Sequence, residues 1–152
     1  MIAILLNDAS FEQDIRELLM AFYPGETFTH KEEEAGEADL IVRGVRDGNS
    51  FSLDVTPVKK DAVHFALIYP DFSNRFETKN EIKQTLYRLL SAQTGRELPW
   101  GTLTGIRPTK IALTKLYDGW TDEQIETYMR ETYFTSKEKI DLSIDVAERE
   151  RR

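Results

Sequence analysis

Apolar and polar positions along this chain change period several times, and each change predicts an element. Residues 1–6 form a continuous apolar run, the pattern of a buried strand. Phe11, Ile15, Leu18, Leu19 and Phe22 then recur at helical spacing. Ser10 and Gln13 ahead of them have capping-box spacing, and Pro24-Gly25 predicts the stop. Residues 27–30 suggest a second strand, and the acidic residues 31–37 read as a solvated loop. A strand over 40–45 leads into Asp47-Gly48-Asn49, which has hairpin-turn chemistry. Phe51, Leu53 and Val55 alternate with polar residues as in a half-buried antiparallel strand, which Pro57 closes. Val63, Phe65, Leu67 and Tyr69 share one face of a further strand.

The second half reads as helices. Thr78 and Glu81 have capping-box spacing, Ile82, Leu86, Leu89 and Leu90 form a stripe, and Gly95 is placed to end the helix left-handed. After residues 98–110, a stripe of Ala112, Leu113, Leu116, Tyr117 and Trp120 ends at Gly119. Thr121 with Gln124 caps a helix carrying Ile125, Tyr128 and Met129, and Ser136 caps a last one carrying Ile140, Ile144 and Ala147. That last helix runs into a charged end with no terminator, which suggests a chain that continues. The whole predicts an α+β fold: an antiparallel sheet with one covering helix, followed by a helical region of about four helices.

Composition narrows the class. Of 152 residues, 40% are hydrophobic and 31% charged, the balance of a soluble globular protein. The apolar runs are too short for a membrane span, and residues 1–6 lack a signal peptide's flanks, so the expected location is cytoplasmic, with no membrane partner. Residues 1–72 hold 6 Lys and Arg against 14 Asp and Glu, while residues 73–152 hold 14 against 13. An acidic α+β sheet unit over 1–72 and a helical region over 73–152 follow, either as two units or as one continuous domain. The acidic front half argues against nucleic acid, which needs concentrated positive charge.

The chemistry concentrates in residues 98–110, Leu-Pro-Trp-Gly-Thr-Leu-Thr-Gly-Ile-Arg-Pro-Thr-Lys. Gly101 and Gly105 permit positive φ or a close backbone approach. Pro108 suits a helix start, which places Thr109 and Lys110 in a first turn whose free amides favour anions. Arg107 has the fork for a carboxylate or phosphate, with Arg96 a further cation nearby. The plainer reading is a helix connection that Trp100 and Leu103 pin to the core. His30 and His64, the only histidines, read as surface or edge-strand residues, and no spacing suggests a metal site. No catalytic triad, nucleophile elbow or phosphate loop is present, so the chain alone carries no signal of catalysis.

Residues 98–110, with Leu86-Tyr87-Arg88-Leu89-Leu90 upstream, resemble the segment that precedes the catalytic domain in HemZ-type proteins. Those are radical S-adenosylmethionine enzymes of the oxygen-independent coproporphyrinogen III oxidase or dehydrogenase type, from haem and porphyrin biosynthesis. The resemblance is specific over about residues 86–118 and weak over the first seventy. It departs at the catalytic signature. The family's Cys-x-x-x-Cys-x-x-Cys run holds an iron–sulfur cluster, and this chain has no cysteine.

The resemblance therefore implies a non-catalytic N-terminal accessory domain, ending where the catalytic barrel of the same protein would begin. The iron–sulfur cluster and S-adenosylmethionine would belong to the parent oxidoreductase, with none held in this chain. Arg107, Lys110, Thr109, Trp100, Gly101 and Gly105 would dock on that barrel or help bind an acidic tetrapyrrole. The alternative is a free-standing module binding nucleic acid or protein through the same loop. A helix-turn-helix over 109–134 would present a second helix with four carboxylates (Asp122, Glu123, Glu126, Glu131) against Arg130, which phosphates would repel.

Overall fold

In a computed structural model, which describes residues 1–59, 63–104 and 108–151, the chain forms two units, Met1–Arg96 and Glu97–Arg152. The first is built on five strands: β1 (Ile2–Leu6), β2 (Phe28–Thr29), β3 (Leu40–Asp47), β4 (Ser50–Pro57) and β5 (His64–Ile68). Their order is β2-β1-β3-β4-β5. β1 is parallel to β2 and β3, whereas β3, β4 and β5 pair antiparallel. The fold is α+β, but the sheet is mixed, which corrects the expectation of an antiparallel one. The connections give the reason. α1 (Glu12–Phe22) lies between β1 and β2, and the 3-10 helix Glu32–Glu37 between β2 and β3. Each crossover brings the chain back to the same end of the sheet, as parallel pairing requires.

Alternation then decides what each face meets. Ile2, Ile4, Leu40, Val42, Phe51, Leu53 and Val55 are buried, and register aligns Ile4 with Val42 and Val42 with Val55. Helix α1 and the long α2 (Arg75–Thr94) supply the opposing layer through Ile15, Leu18, Leu19, Phe22, Ile82, Leu86 and Leu90. Phe11 stands edge-on to Phe51 at 6.2 Å, and Phe22 to Tyr87 at 5.3 Å. On the other face, Ala3 and Leu5 pack with Ala35 and Ala38. Residues 31–37 are thus not merely a solvated loop. Ala35 is the small apolar residue that seats a 3-10 helix on β1, while Glu32, Glu33 and Glu37 around it stay exposed.

Two caps differ from the expected ones. Asp8, not Ser10, starts the first helical segment, a 3-10 turn Ala9–Phe11 leading into α1. Its carboxylate accepts from the Ser10 amide at 3.0 Å and the Ser10 hydroxyl at 2.6 Å. Asn74, not Thr78, caps α2 by accepting from the Glu77 amide. Thr78 lies buried inside the helix and donates to the Asp71 carbonyl. In both cases a better acceptor stands where the chain leaves the sheet, and the helix begins there.

Asp8→Ala should cost about 1 kcal/mol in urea unfolding. The Ser10 hydroxyl and amide, with Arg46 beyond them, hold the Asp8 carboxyl below its ordinary value of 3.8. This contribution is complete above that value and is lost as pH falls through the lower folded value. The gap between wild type and Asp8→Ala should therefore close between about pH 5 and pH 2. A gap that is constant with pH would contradict this origin.

The second unit contains α3 (Pro108–Tyr117), α4 (Asp122–Tyr133) and α5 (Lys137–Arg151). Leu103, Ala112, Leu116, Ile125, Met129, Tyr133, Ile140, Ile144 and Ala147 form its core. Thr121 and Gln124 make the expected reciprocal capping box, and the Ser136 hydroxyl accepts from the Lys139 amide at 3.4 Å. No helix among the described residues is long and apolar enough to cross a membrane.

Candidate functional site

Residues 98–110 open the second unit, and their first half is tied down within it. The Gly101 amide donates to the Leu98 carbonyl at 2.9 Å, closing a turn. Three bonds join that turn to the α4–α5 junction. The Thr102 amide donates to the Tyr133 carbonyl at 2.7 Å, the Ser136 amide to the Pro99 carbonyl at 2.9 Å, and the Thr135 hydroxyl to the Trp100 carbonyl at 3.2 Å. Phe134, left-handed at φ 58°, bends the chain between the two helices. Gly101 has φ +63°, and a Cβ there would stand 1.9 Å from the Tyr133 carbonyl oxygen. Only glycine allows the two backbones to approach so closely.

Trp100 packs half-buried on the core of this unit, with the Lys139 ammonium 5.5 Å from its ring, and Thr102 and Leu103 are buried. Beyond them, Thr109 is half-buried and Lys110 exposed in the first turn of α3. The Lys110 carbonyl accepts the Thr114 hydroxyl at 2.9 Å. Gly105 and Arg107 lie outside the described residues. Arg96 is engaged within the first unit, where its guanidinium donates to the Phe22 carbonyl at the end of α1.

Sequence periodicity placed Trp120 and Tyr128 on two apolar stripes without showing that they meet. They stand edge-on at 5.6 Å, with Tyr133 a further 5.8 Å from Tyr128. The Lys115 ammonium lies 4.5 Å from the Trp120 ring and 4.7 Å from the Tyr128 ring, so the chain's own cation fills this aromatic face. Beside it is an open groove of about 440 Å³, lined by Trp120, Glu123, Gln124, Thr127 and Tyr128. Burial, then the bond to Tyr128, pushes the Tyr133 phenol well above its ordinary range, so it stays neutral. An aromatic pair separated by a turn is the one sequence signal that could have suggested this groove.

In the first unit, a groove of about 310 Å³ lies at the carboxyl ends of β1 and β2 and along β3. Its polar groups are engaged within the chain. Arg43 binds Glu32 through both fork nitrogens at 3.0 Å, His30 Nε2 lies 3.0 Å from Glu12, and the Asn7 amide bonds the Arg46 backbone on both sides. His64 starts the outer strand β5. Among the described residues, no group of three or more His, Asp or Glu side chains is placed to hold a metal. With no cysteine in the sequence, no thiolate is available for an iron–sulfur cluster.

No known family profile matches the chain, and no solved structure matches it. Among curated proteins, it is similar to the oxygen-independent coproporphyrinogen-III oxidase-like protein HemZ of Bacillus subtilis, with 36% identity over 90 residues. The match covers 57% of this chain and spans 18% of that relative's length. The likeness thus extends over more than half of this chain but less than a fifth of that relative.

Proposed function

We propose that this chain serves as a non-catalytic N-terminal accessory domain of a radical S-adenosylmethionine oxidoreductase resembling coproporphyrinogen dehydrogenase, acting in the cytoplasm. The observation that carries this reading is the 36% identity to HemZ. The chain's residues do not fit an iron–sulfur cluster, because three thiolates are needed and it contains none. The cluster and S-adenosylmethionine would therefore be held by a catalytic domain further along the same polypeptide. What this chain contributes is the loop of residues 98–110. Trp100 and Gly101 anchor its first half to α4 and α5, while Lys110 remains in water in the first turn of α3. A cation there suits either a carboxylate on the catalytic domain or the propionates of a tetrapyrrole substrate.

The reading frame beyond Arg152 tests the assignment directly, since it requires a Cys-x-x-x-Cys-x-x-Cys run. A continuation without that run would end it. Arg107 tests the loop. In the 152-residue chain, Arg107→Ala should shift stability by no more than about 0.5 kcal/mol. In the whole protein, the same change should weaken turnover or substrate affinity by about 1.5–3 kcal/mol, with Arg107→Lys restoring only part. A large drop in melting temperature of the chain itself would instead make Arg107 a structural residue of its own unit.

A further inference from the structure

Strand β5 ends the sheet, and its outward face is apolar. Register puts His64, Ala66 and Ile68 on the side of Val55, Leu53 and Phe51, where α2 packs, and leaves Phe65 and Leu67 on the other. Val63 and Tyr69 flank the strand in the same alternation. Val63, Phe65, Leu67 and Tyr69 are 60%, 60%, 47% and 66% exposed. The 3-10 helix Glu32–Glu37 covers the far end of this face, where Ala35 and Ala38 pack with Ala3 and Leu5 of β1 and Ile41 of β3 lies half-buried against them. Outer strands are ordinarily protected from pairing by lysine, proline or a bulge. His64–Ile68 contains no Lys, Arg, Asp, Glu or Pro.

We infer that β5 pairs antiparallel with β5 of a second copy of this chain, about a two-fold axis at Ala66, joining two sheets into one. A two-fold contact needs a surface complementary to itself, and this strand meets that condition. With Ala66 on the axis, Phe65 opposes Leu67 of the second copy and Val63 opposes Tyr69, all on the open face. An uncharged strand faces an uncharged strand, so no buried charge is left unpaired, and a charged partner segment would find no counter-charge on the strand itself.

Area sets the strength. A whole aromatic side chain presents roughly 150–250 Å², so the four residues at their observed exposures leave about 400 Å² per copy. Edge pairing leaves the open face of these side chains in water and buries only their facing flanks and the paired main chain, well below the roughly 1,200 Å² of a stable interface, which puts the contact in the class of weak, concentration-dependent dimers. Each copy carries a net charge of −7, so added salt should tighten the pairing by screening repulsion. This inference is independent of the role proposed above.

Sedimentation equilibrium of the 152-residue chain, from about 1 µM to 1 mM and at about 20 and 300 mM salt, reads the association. The expected result is a monomer–dimer equilibrium that tightens with salt. Leu67→Lys should weaken it by about tenfold or more while leaving the circular dichroism and melting temperature unchanged, because Leu67 faces water. Val45→Lys, on the same face but on β3, should have no such effect. The natural sequence has no cysteine, so Ala66→Cys introduces a single thiol. Directly opposed residues of antiparallel strands have Cα atoms about 4.5–5.5 Å apart, within disulfide reach. Ala66→Cys should therefore oxidise to a covalent dimer much faster than Val45→Cys. A monomer at every concentration, a dimer loosened by salt, or faster cross-linking at Val45 would each overturn the inference.

Discussion

Gly101→Ala should cost the second unit on the order of 4 kcal/mol. Two effects combine. A non-glycine residue at φ +63° carries backbone strain of about 1 kcal/mol or more. The added Cβ would also lie 1.9 Å from the Tyr133 carbonyl oxygen and 2.5 Å from the Phe134 carbonyl carbon, both main-chain atoms. No side-chain rotation relieves that overlap, so the turn must leave the α4–α5 junction. It then loses the bonds through Thr102, Ser136 and Thr135, each about 1 kcal/mol. A unit of this size holds only about 3–8 kcal/mol in total, so the change should unfold most of it. Both tryptophans of the chain, Trp100 and Trp120, lie in this unit, and their emission reports the loss directly. A variant with wild-type emission and wild-type urea midpoint would show that the close approach is not required.

Phe22→Ala should cost the first unit about 3–5 kcal/mol, the range for emptying an aromatic site in a packed core. Phe22 is fully buried at the end of α1 and stands edge-on to Tyr87 of α2. It is thus part of the layer that both helices lay over the sheet. Its carbonyl accepts from Arg96, so the cavity would open beside the bond that closes the helix. Amide exchange of β1, β3 and β4 measures the effect. Protection that falls by less than about tenfold, or 1.4 kcal/mol, would place Phe22 outside the cooperative core of the unit.

The elements legible in the sequence are those specified by short-range chemistry. The β3–β4 hairpin needs only Asp47-Gly48-Asn49 and the alternation after it, and Gly48 takes φ +60°. Gly95 ends α2 left-handed, and Thr121 with Gln124 caps α4. At Ser10 and Thr78 the motif was present but the cap went to Asp8 and Asn74, because two acceptors competed and the path out of the sheet chose between them. The direction of β1 against β3 was not legible at all. Parallel pairing joins strands far apart in the chain, and a two-residue β2 has no pattern to announce it.

The candidate loop divides in the same way. That residues 98–110 needed special backbone geometry was readable from their glycines and prolines, and the likeness to HemZ-type proteins from their identities. That Gly101 must be glycine because the end of α4 passes against it was not readable, since the contact joins segments distant in sequence. β5 shows the limit most plainly. Alternation alone assigned Val63, Phe65, Leu67 and Tyr69 to one face. Pairing with β4 then set the register, which turned the small Ala66 toward the helices and the large residues outward. A period of two names the two faces of a strand, but only the neighbouring strand decides which of them meets the core.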